Sequence, residues 1–261
     1  MPTGKKQPFA KRSLGQNFLV DKNYIRKIID AVDPQPGDTI LEIGPGRGAI
    51  TDELVATEAA IVALELDRDL VPMLRERFRD HTNFTIHEAD AVTAEFADLV
   101  PAGTKVVANL PYYISTAILQ RLAEQRSLFT QLTLMFQREV VDRISAEVGN
   151  SDRGYLTVLV EAAFAVERLF DVPPNAFRPA PKVKSSVVRL TPKPLSTADD
   201  PKFRDLVSRS FGQKRKTLHN NLKTFYANVA SAFAAADIDP GRRAESLTLD
   251  EWLQLFAAIT E

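Results

Sequence analysis

Asn109-Leu110-Pro111-Tyr112 ends the apolar run Lys105-Val106-Val107-Ala108 and gathers an amide, a backbone carbonyl, a rigid ring and a flat aromatic face into four residues. Such a set suits the alkylation of a weak amine. An exocyclic adenine amine is a poor nucleophile because its lone pair is delocalised into the ring. Acceptors on its two N–H bonds, here the Asn109 side-chain oxygen and the Leu110 carbonyl, would hold the lone pair toward an electrophile and favour the positive charge developing on nitrogen. Pro111 fixes the turn and drives Leu110 into an extended conformation. Tyr112 offers a face on which a base can stack. A donor with a good leaving group, such as S-adenosylmethionine, needs no strong general base, since the alkylated amine becomes acidic and releases its proton to water. Taken alone, the same residues would also serve as a strand-ending turn with a packed tyrosine.

The elements upstream supply what a nucleoside-bearing donor requires. Thr39-Ile40-Leu41-Glu42-Ile43 runs into Gly44-Pro45-Gly46-Arg47-Gly48. Glycine permits positive φ and leaves bare backbone against which a ligand can lie. The spacing differs from the G-x-G-x-x-G of dinucleotide binders, and no Lys-Ser or Lys-Thr follows, which excludes a Walker-type phosphate loop. A second apolar run, Ala59 to Leu64, ends at Glu65-Leu66-Asp67. Glu65 lies about twenty residues past the glycines, where a doubly wound fold places a carboxylate on ribose hydroxyls. A third run, Phe84 to His87, ends at Glu88-Ala89-Asp90. Polar residues at successive strand ends mark the ligand crevice of an open parallel sheet. Helical stretches over 49–58, 68–80 and 115–125 separate the runs, so the alternation predicts a mostly parallel α/β sheet covered on both faces.

These segments together resemble the small-subunit rRNA adenine N6-dimethyltransferases, the KsgA/RsmA group, and the resemblance extends from Ser13 to Trp252. Ser13-Leu14-Gly15-Gln16-Asn17-Phe18-Leu19 is similar to the family's N-terminal motif, which closes over the cofactor. Leu41 to Gly48 resembles its cofactor loop, and Asn109 to Thr116 its catalytic motif. Phe177-Arg178-Pro179-Ala180-Pro181-Lys182-Val183 resembles the segment whose aromatic packs against the target base. The resemblance implies S-adenosyl-L-methionine as cofactor, contacted by Asn17, Leu19, Gly44, Gly46, Glu65, Asp90, Ala91 and Asn109. It implies a catalytic set of Asn109, Leu110, Pro111, Tyr112 and Phe177. Gly149 to Tyr155 departs from the family's Tyr-Gly loop.

Composition sets wide bounds. The 261 residues, 44% hydrophobic and 26% charged, suffice for one or two domains. The absence of cysteine excludes disulfides, thiolate catalysis and cysteine metal sites. His81, His87 and His219 lack ligand-like spacing, so no metal site is expected. No apolar run approaches the ~18 residues of a membrane span. The basic residues 1–12 are too few for a transit peptide and contain no apolar stretch, so a cytoplasmic monomer without membrane association is expected.

A net charge of −1 conceals a polarity. Acids dominate 30–100, whereas the N-terminal arm and the stretch from Arg178 to Lys216 are basic. Such asymmetry can carry a nucleic-acid surface on a neutral protein. Lys214-Arg215-Lys216, flanked by Phe211-Gly212-Gln213 and Thr217 to Asn221, resembles the family's rRNA-facing segment and is expected to open a helix. Thr191 to Pro201 has the composition of a linker. Beyond it, helices are expected around 203–211, 218–225, 230–236 and 250–259, with Trp252 packed in their core. The sequence thus predicts a Rossmann-like S-adenosylmethionine methyltransferase sheet over 1–192 and a small all-helical rRNA-binding domain over 200–261. The implied partners are small-subunit rRNA and the immature small ribosomal subunit. Two other readings stand beside it: an Erm-type large-subunit rRNA dimethyltransferase, which Lys214 to Asn221 and Arg243 to Leu247 disfavour, and a ribosome-assembly factor that mainly binds and releases.

Overall fold

The computed structural model describes residues 16–260. Its strands are β1 (Phe18–Leu19), β2 (Thr39–Ile43), β3 (Ala60–Glu65), β4 (Phe84–Glu88), β5 (Thr104–Asn109), β6 (Phe129–Gln137), β7 (Phe164–Val172), β8 (Phe177–Arg178) and β9 (Ser185–Pro192). Among the described residues, seven of them form one sheet in the order β4-β3-β2-β5-β6-β9-β7. The five strands from β4 to β6 run parallel, and β9 joins β6 antiparallel. Strand order reverses between β2 and β5, which opens a crevice at their C-terminal ends. The short strands β1 and β8 pair antiparallel, with Leu19 opposite Phe177.

Contacts group the chain into two compact units. The first runs to Arg138 and takes in Glu167–Pro192; the second comprises Glu139–Val166 and the chain from Lys193 onward. In the first, α1 (Lys22–Val32) shows how pattern becomes packing. Asp21 caps its start by accepting from the Asn23 amide at 2.9 Å, and Ile25, Ile28, Ala31 and Val32 form the buried stripe. Ile25, Ile28 and Val32 meet Ile40, Leu54, Leu74 and Phe78 in one core. Fully burying each such side chain contributes roughly 1.5–3 kcal/mol. The helices α2 (Thr51–Leu54), α3 (Leu70–Arg77) and α4 (Ser115–Glu124) fall inside the helical stretches read from sequence.

The second unit contains α5 (Arg138–Ile144, from its second residue), α6 (Tyr155–Ala163), α7 (Pro201–Ser210), α8 (Leu218–Leu222), α9 (Val229–Ala235) and α10 (Leu249–Thr260). Its core joins Val158 and Ala162 of α6 to Leu206, Leu222, Phe233 and the fully buried Trp252. Composition draws a boundary near 191–200, but contacts also carry 139–166 into this unit. The earlier crossing passes from β6 directly into α5, with no Pro or Gly to mark it. The variant loop 149–155 is organised by Arg153, which is 2% exposed. Its guanidinium reaches Glu161 at 2.5 Å and the carbonyls of Ala146 and Leu247 at 3.3 Å. Lys214-Arg215-Lys216 does not open a helix. It lies in the turn between α7 and α8, and Thr217 caps α8 after it.

Gly48 tests how tightly the glycine turn is built. Its φ is +82°, and a Cβ there would meet Phe78 at 3.0 Å and Leu74 at 3.1 Å. Gly48→Ala should destabilise the protein by about 2 kcal/mol through left-handed strain and overpacking, read as a lowered urea midpoint with unchanged slope. An unaltered midpoint would show that the turn relaxes freely.

Candidate functional site

The crevice at the strand ends is a cavity of roughly 990 Å³, open solvent at its mouth included. The loops after β2, β3, β4 and β5 wall it, and the segment 16–19 crosses it. Glu65 is part of its wall. The carboxylate is 7% exposed; Oε2 accepts from the Gly46 amide at 3.0 Å and Oε1 from the Asp67 amide at 2.8 Å. One side chain therefore clamps the glycine turn to the turn after β3. Burial pushes its pKa up, and these backbone N–H bonds pull it back. Each carboxylate oxygen has two lone pairs, so both can still accept a hydroxyl.

Backbone bonds hold the glycine turn as well. Gly44 N–H bonds to the Leu64 carbonyl and Gly48 N–H to the Pro45 carbonyl, both at 2.8 Å. Gly44 has φ +70°, and a Cβ there would meet no atom within 4 Å; that space belongs to the cavity. A Cβ on Gly46 would come within 3.1 Å of Phe18, so the segment 16–19 closes directly onto the turn. Gln16 extends that closure by donating to Asp67 at 2.8 Å.

At the far wall, Asn109 Nδ2 donates to the Asn17 carbonyl at 3.2 Å. A carbonyl can only accept, so the amide's orientation is settled, and Oδ1 forms its other edge. Leu110, Pro111 and Tyr112 continue the wall. The Tyr112 hydroxyl shares a 2.6 Å bond with Ser185 on β9. Burial raises the phenol's pKa against the opposing effect of Ser185, so Tyr112 contributes a neutral ring, not a base. Asp90, half-buried, accepts from the Val92 amide at 2.9 Å and shapes the turn that carries Ala91. Beneath the glycines, Glu42 is 2% exposed and accepts from Thr51 Oγ1 at 2.7 Å. Burial raises its pKa to about 8, which leaves it largely protonated near neutral pH.

Asn17, Leu19, Gly44, Gly46, Glu65, Asp90, Ala91, Asn109, Leu110, Pro111 and Tyr112 thus line one cavity. Phe177 does not. It is fully buried and absent from the cavity wall, because its apolar ring is taken into the core that also holds Leu19, Ala176 and Val187. Lys214 donates to the Ser151 carbonyl at 2.8 Å within the second unit, while Arg215 and Lys216 are exposed. Of the motif that begins at Ser13, residues 13–15 lie outside the described residues, as does the basic arm. Sequence reasoning missed Ser185 and Thr51, which support the site from long-range positions. Glu42 was legible only as an acid inside an apolar run.

The charged groups in the lining are Glu42, Glu65, Asp90 and Arg47. With Glu42 protonated, carboxylates prevail and no lysine is present. Such a wall suits a nucleoside with hydroxyls and a positive charge better than a phosphorylated one.

Comparisons with known proteins converge. The family model described as "Ribosomal RNA adenine dimethylase" matches residues 9–261. A protein of Aromatoleum aromaticum named ribosomal RNA small subunit methyltransferase A is 47% identical, covering 94% of this chain and 92% of the relative. Proteins of the same name from Geobacter metallireducens and Pseudomonas aeruginosa are 43% and 42% identical, each over at least 95% of both chains. Among solved structures, a dimethyladenosine transferase of Plasmodium falciparum matches with TM-score 0.75 and 27% identity, over 91% of this chain and 95% of that one. The 23S rRNA methyltransferase ErmE matches with TM-score 0.69 and 27% identity, over 94% of this chain and all of that one.

Glu42 makes the site's stability depend on pH. An unfolded glutamate ionises near 4.5, whereas the folded group holds its proton to about 8. Its contribution is therefore fully present below pH 4.5 and lost as pH rises toward 8, by at most about 1.4 kcal/mol per pH unit. Glu42→Gln keeps an acceptor for Thr51 and removes the titration. Its stability relative to wild type should climb across that window in denaturant unfolding. Parallel stability–pH curves would show that Glu42 titrates normally.

Proposed function

This chain belongs to the ribosomal RNA adenine dimethylase family, and we propose that it dimethylates N6 of two adjacent adenosines in a hairpin loop near the 3′ end of small-subunit rRNA. The observation that carries the reading is the oriented Asn109 amide on the wall of a carboxylate-lined nucleoside cavity. When bound, S-adenosylmethionine supplies an activated methyl group. Glu65 accepts the ribose hydroxyls on its remaining lone pairs, Asp90 and Ala91 meet the donor's adenine, and the bare backbone at Gly44 leaves room beside them.

The target base enters beside Asn109-Leu110-Pro111-Tyr112. Asn109 Oδ1 and the Leu110 carbonyl accept hydrogen bonds from its two N–H groups, which aligns the lone pair and stabilises the cation that forms as the N–C bond is made and the donor's S–C bond breaks, leaving a neutral thioether. Tyr112 stacks on the base, its hydroxyl steadied by Ser185. The proton leaves from the alkylated amine to water. In a second transfer the monomethylated amine, which keeps one N–H, donates it to one of these two acceptors and presents its lone pair after rotation about its C–N bond.

Small-subunit rRNA is the favoured substrate because the relatives at 42–47% identity carry that name. The likeness to ErmE supports shared architecture at lower identity. Exposed Arg215 and Lys216, with Lys214, offer phosphate contacts in the second unit. The reading places the protein in the cytoplasm with immature small subunits. Among the described residues no helix is long and apolar enough to cross a membrane.

Methyl transfer from labelled donor to unmethylated small subunits tests the chemistry. Asn109→Ala should abolish turnover while subunit affinity stays near wild type; near-normal dimethylation would refute the lone-pair alignment. Glu65→Ala should weaken donor binding by roughly 1.5–3 kcal/mol in calorimetry, and unchanged affinity would remove Glu65 from the site. Replacing Lys214, Arg215 and Lys216 by Ala should weaken subunit binding and flatten its salt dependence without altering donor affinity. An unaltered slope would place phosphate recognition elsewhere.

A further inference from the structure

In the second unit, Phe225 is the one exposed aromatic ring among the described residues, at 54% exposure. It is nevertheless a built feature. Its amide bonds to the Leu222 carbonyl at 2.9 Å, which fixes the turn after α8. The Arg209 guanidinium from α7 lies over the ring, 4.1 Å from its centroid. Asp205 holds that guanidinium at 2.5 Å through Nε, and the Tyr226 hydroxyl donates to the same carboxylate oxygen at 3.2 Å. The result is a cation–π pair with a locked plane on an open surface.

The surrounding chain says what fits there. Residues 202–223 hold seven cations, Lys202, Arg204, Arg209, Lys214, Arg215, Lys216 and Lys223, against the single acid Asp205. Such a segment attracts a polyanion. Arg209 itself is a poor phosphate clamp, since Asp205 already neutralises it. Its flat face and the Phe225 ring remain stacking surfaces, which suit a nucleobase better than a phosphate.

Building on the rRNA reading above, we propose that Phe225 and Arg209 form a stacking site for one unpaired rRNA base, separate from the cavity that takes the reacting adenine. The base extends the Arg–Phe stack, and the neighbouring lysines and arginines hold its flanking phosphates. The site fixes the RNA by shape and tolerates any base, because every base has a π face.

Trp252, the only tryptophan, is fully buried, so a tryptophan at 225 can be read against a constant background. Phe225→Trp should bind small subunits normally, with emission quenched as they are added; wild-type emission should not change. Phe225→Ala and Phe225→Leu should each weaken subunit binding about tenfold, with donor affinity, thermal midpoint and salt slope unchanged. Protein-free small-subunit rRNA should quench the tryptophan as intact subunits do. Wild-type affinity in the alanine and leucine variants, or quenching by ribosomal proteins but not by rRNA, would overturn the proposal. Methyl transfer by the wild-type protein, measured in parallel, separates the readings. Its absence would refute the proposed function, whereas quenching by RNA still decides the stacking site.

Discussion

A buried carboxylate between two turns sets the geometry of everything around it. Glu65 accepts backbone N–H bonds from Gly46 in the glycine turn and from Asp67 in the turn after β3. Leaving a buried amide unpaired costs about 1–3 kcal/mol. The bridge fixes the glycine turn, the turn fixes Phe18 against Gly46, and the segment behind Phe18 presents the Asn17 carbonyl to Asn109. Donor and acceptor sides of the cavity are thereby linked through one chain of contacts within a single unit.

That linkage explains why the chemistry requires little else. The cavity wall has no strong base, and none is needed when the reacting amine loses its proton after alkylation. Burial moves the already neutral Tyr112 phenol further from ionisation and keeps Glu42 protonated. One gives an uncharged stacking face, and the other avoids placing a third negative charge beneath the glycines. The charged side chains that remain in the lining, Glu65, Asp90 and Arg47, leave a cavity suited to a polar, cationic ligand.

Much of this was legible in sequence where local pattern decides structure. Apolar runs ending in Gly44, Glu65, Asp90 and Asn109 gave the parallel strands and the crevice at their ends, because a buried strand must be apolar and its end need not be. The antiparallel partner β9 was not legible, since Ser185 to Pro192 lacks a clean alternation and gives no signal for its neighbour. Phe177 was legible as an aromatic in a motif, but its place in the core beside Leu19, distant in sequence, was not. In the second unit, helix positions followed from periodicity, yet the inclusion of 139–166 depended on where α6 found an apolar partner. Arg153 would read as a surface arginine in any local window, and only long-range acceptors explain its burial.

The central claim is that this cavity dimethylates adenine N6 in small-subunit rRNA. Its most direct measurement is mass mapping of rRNA recovered from unmethylated small subunits incubated with the protein and S-adenosylmethionine. The account predicts two adjacent N6,N6-dimethyladenosines near the 3′ end of the small-subunit rRNA, and unmodified large-subunit rRNA in a parallel reaction. Methyl groups on a ring nitrogen or carbon, or dimethyladenosine confined to large-subunit rRNA, would contradict it.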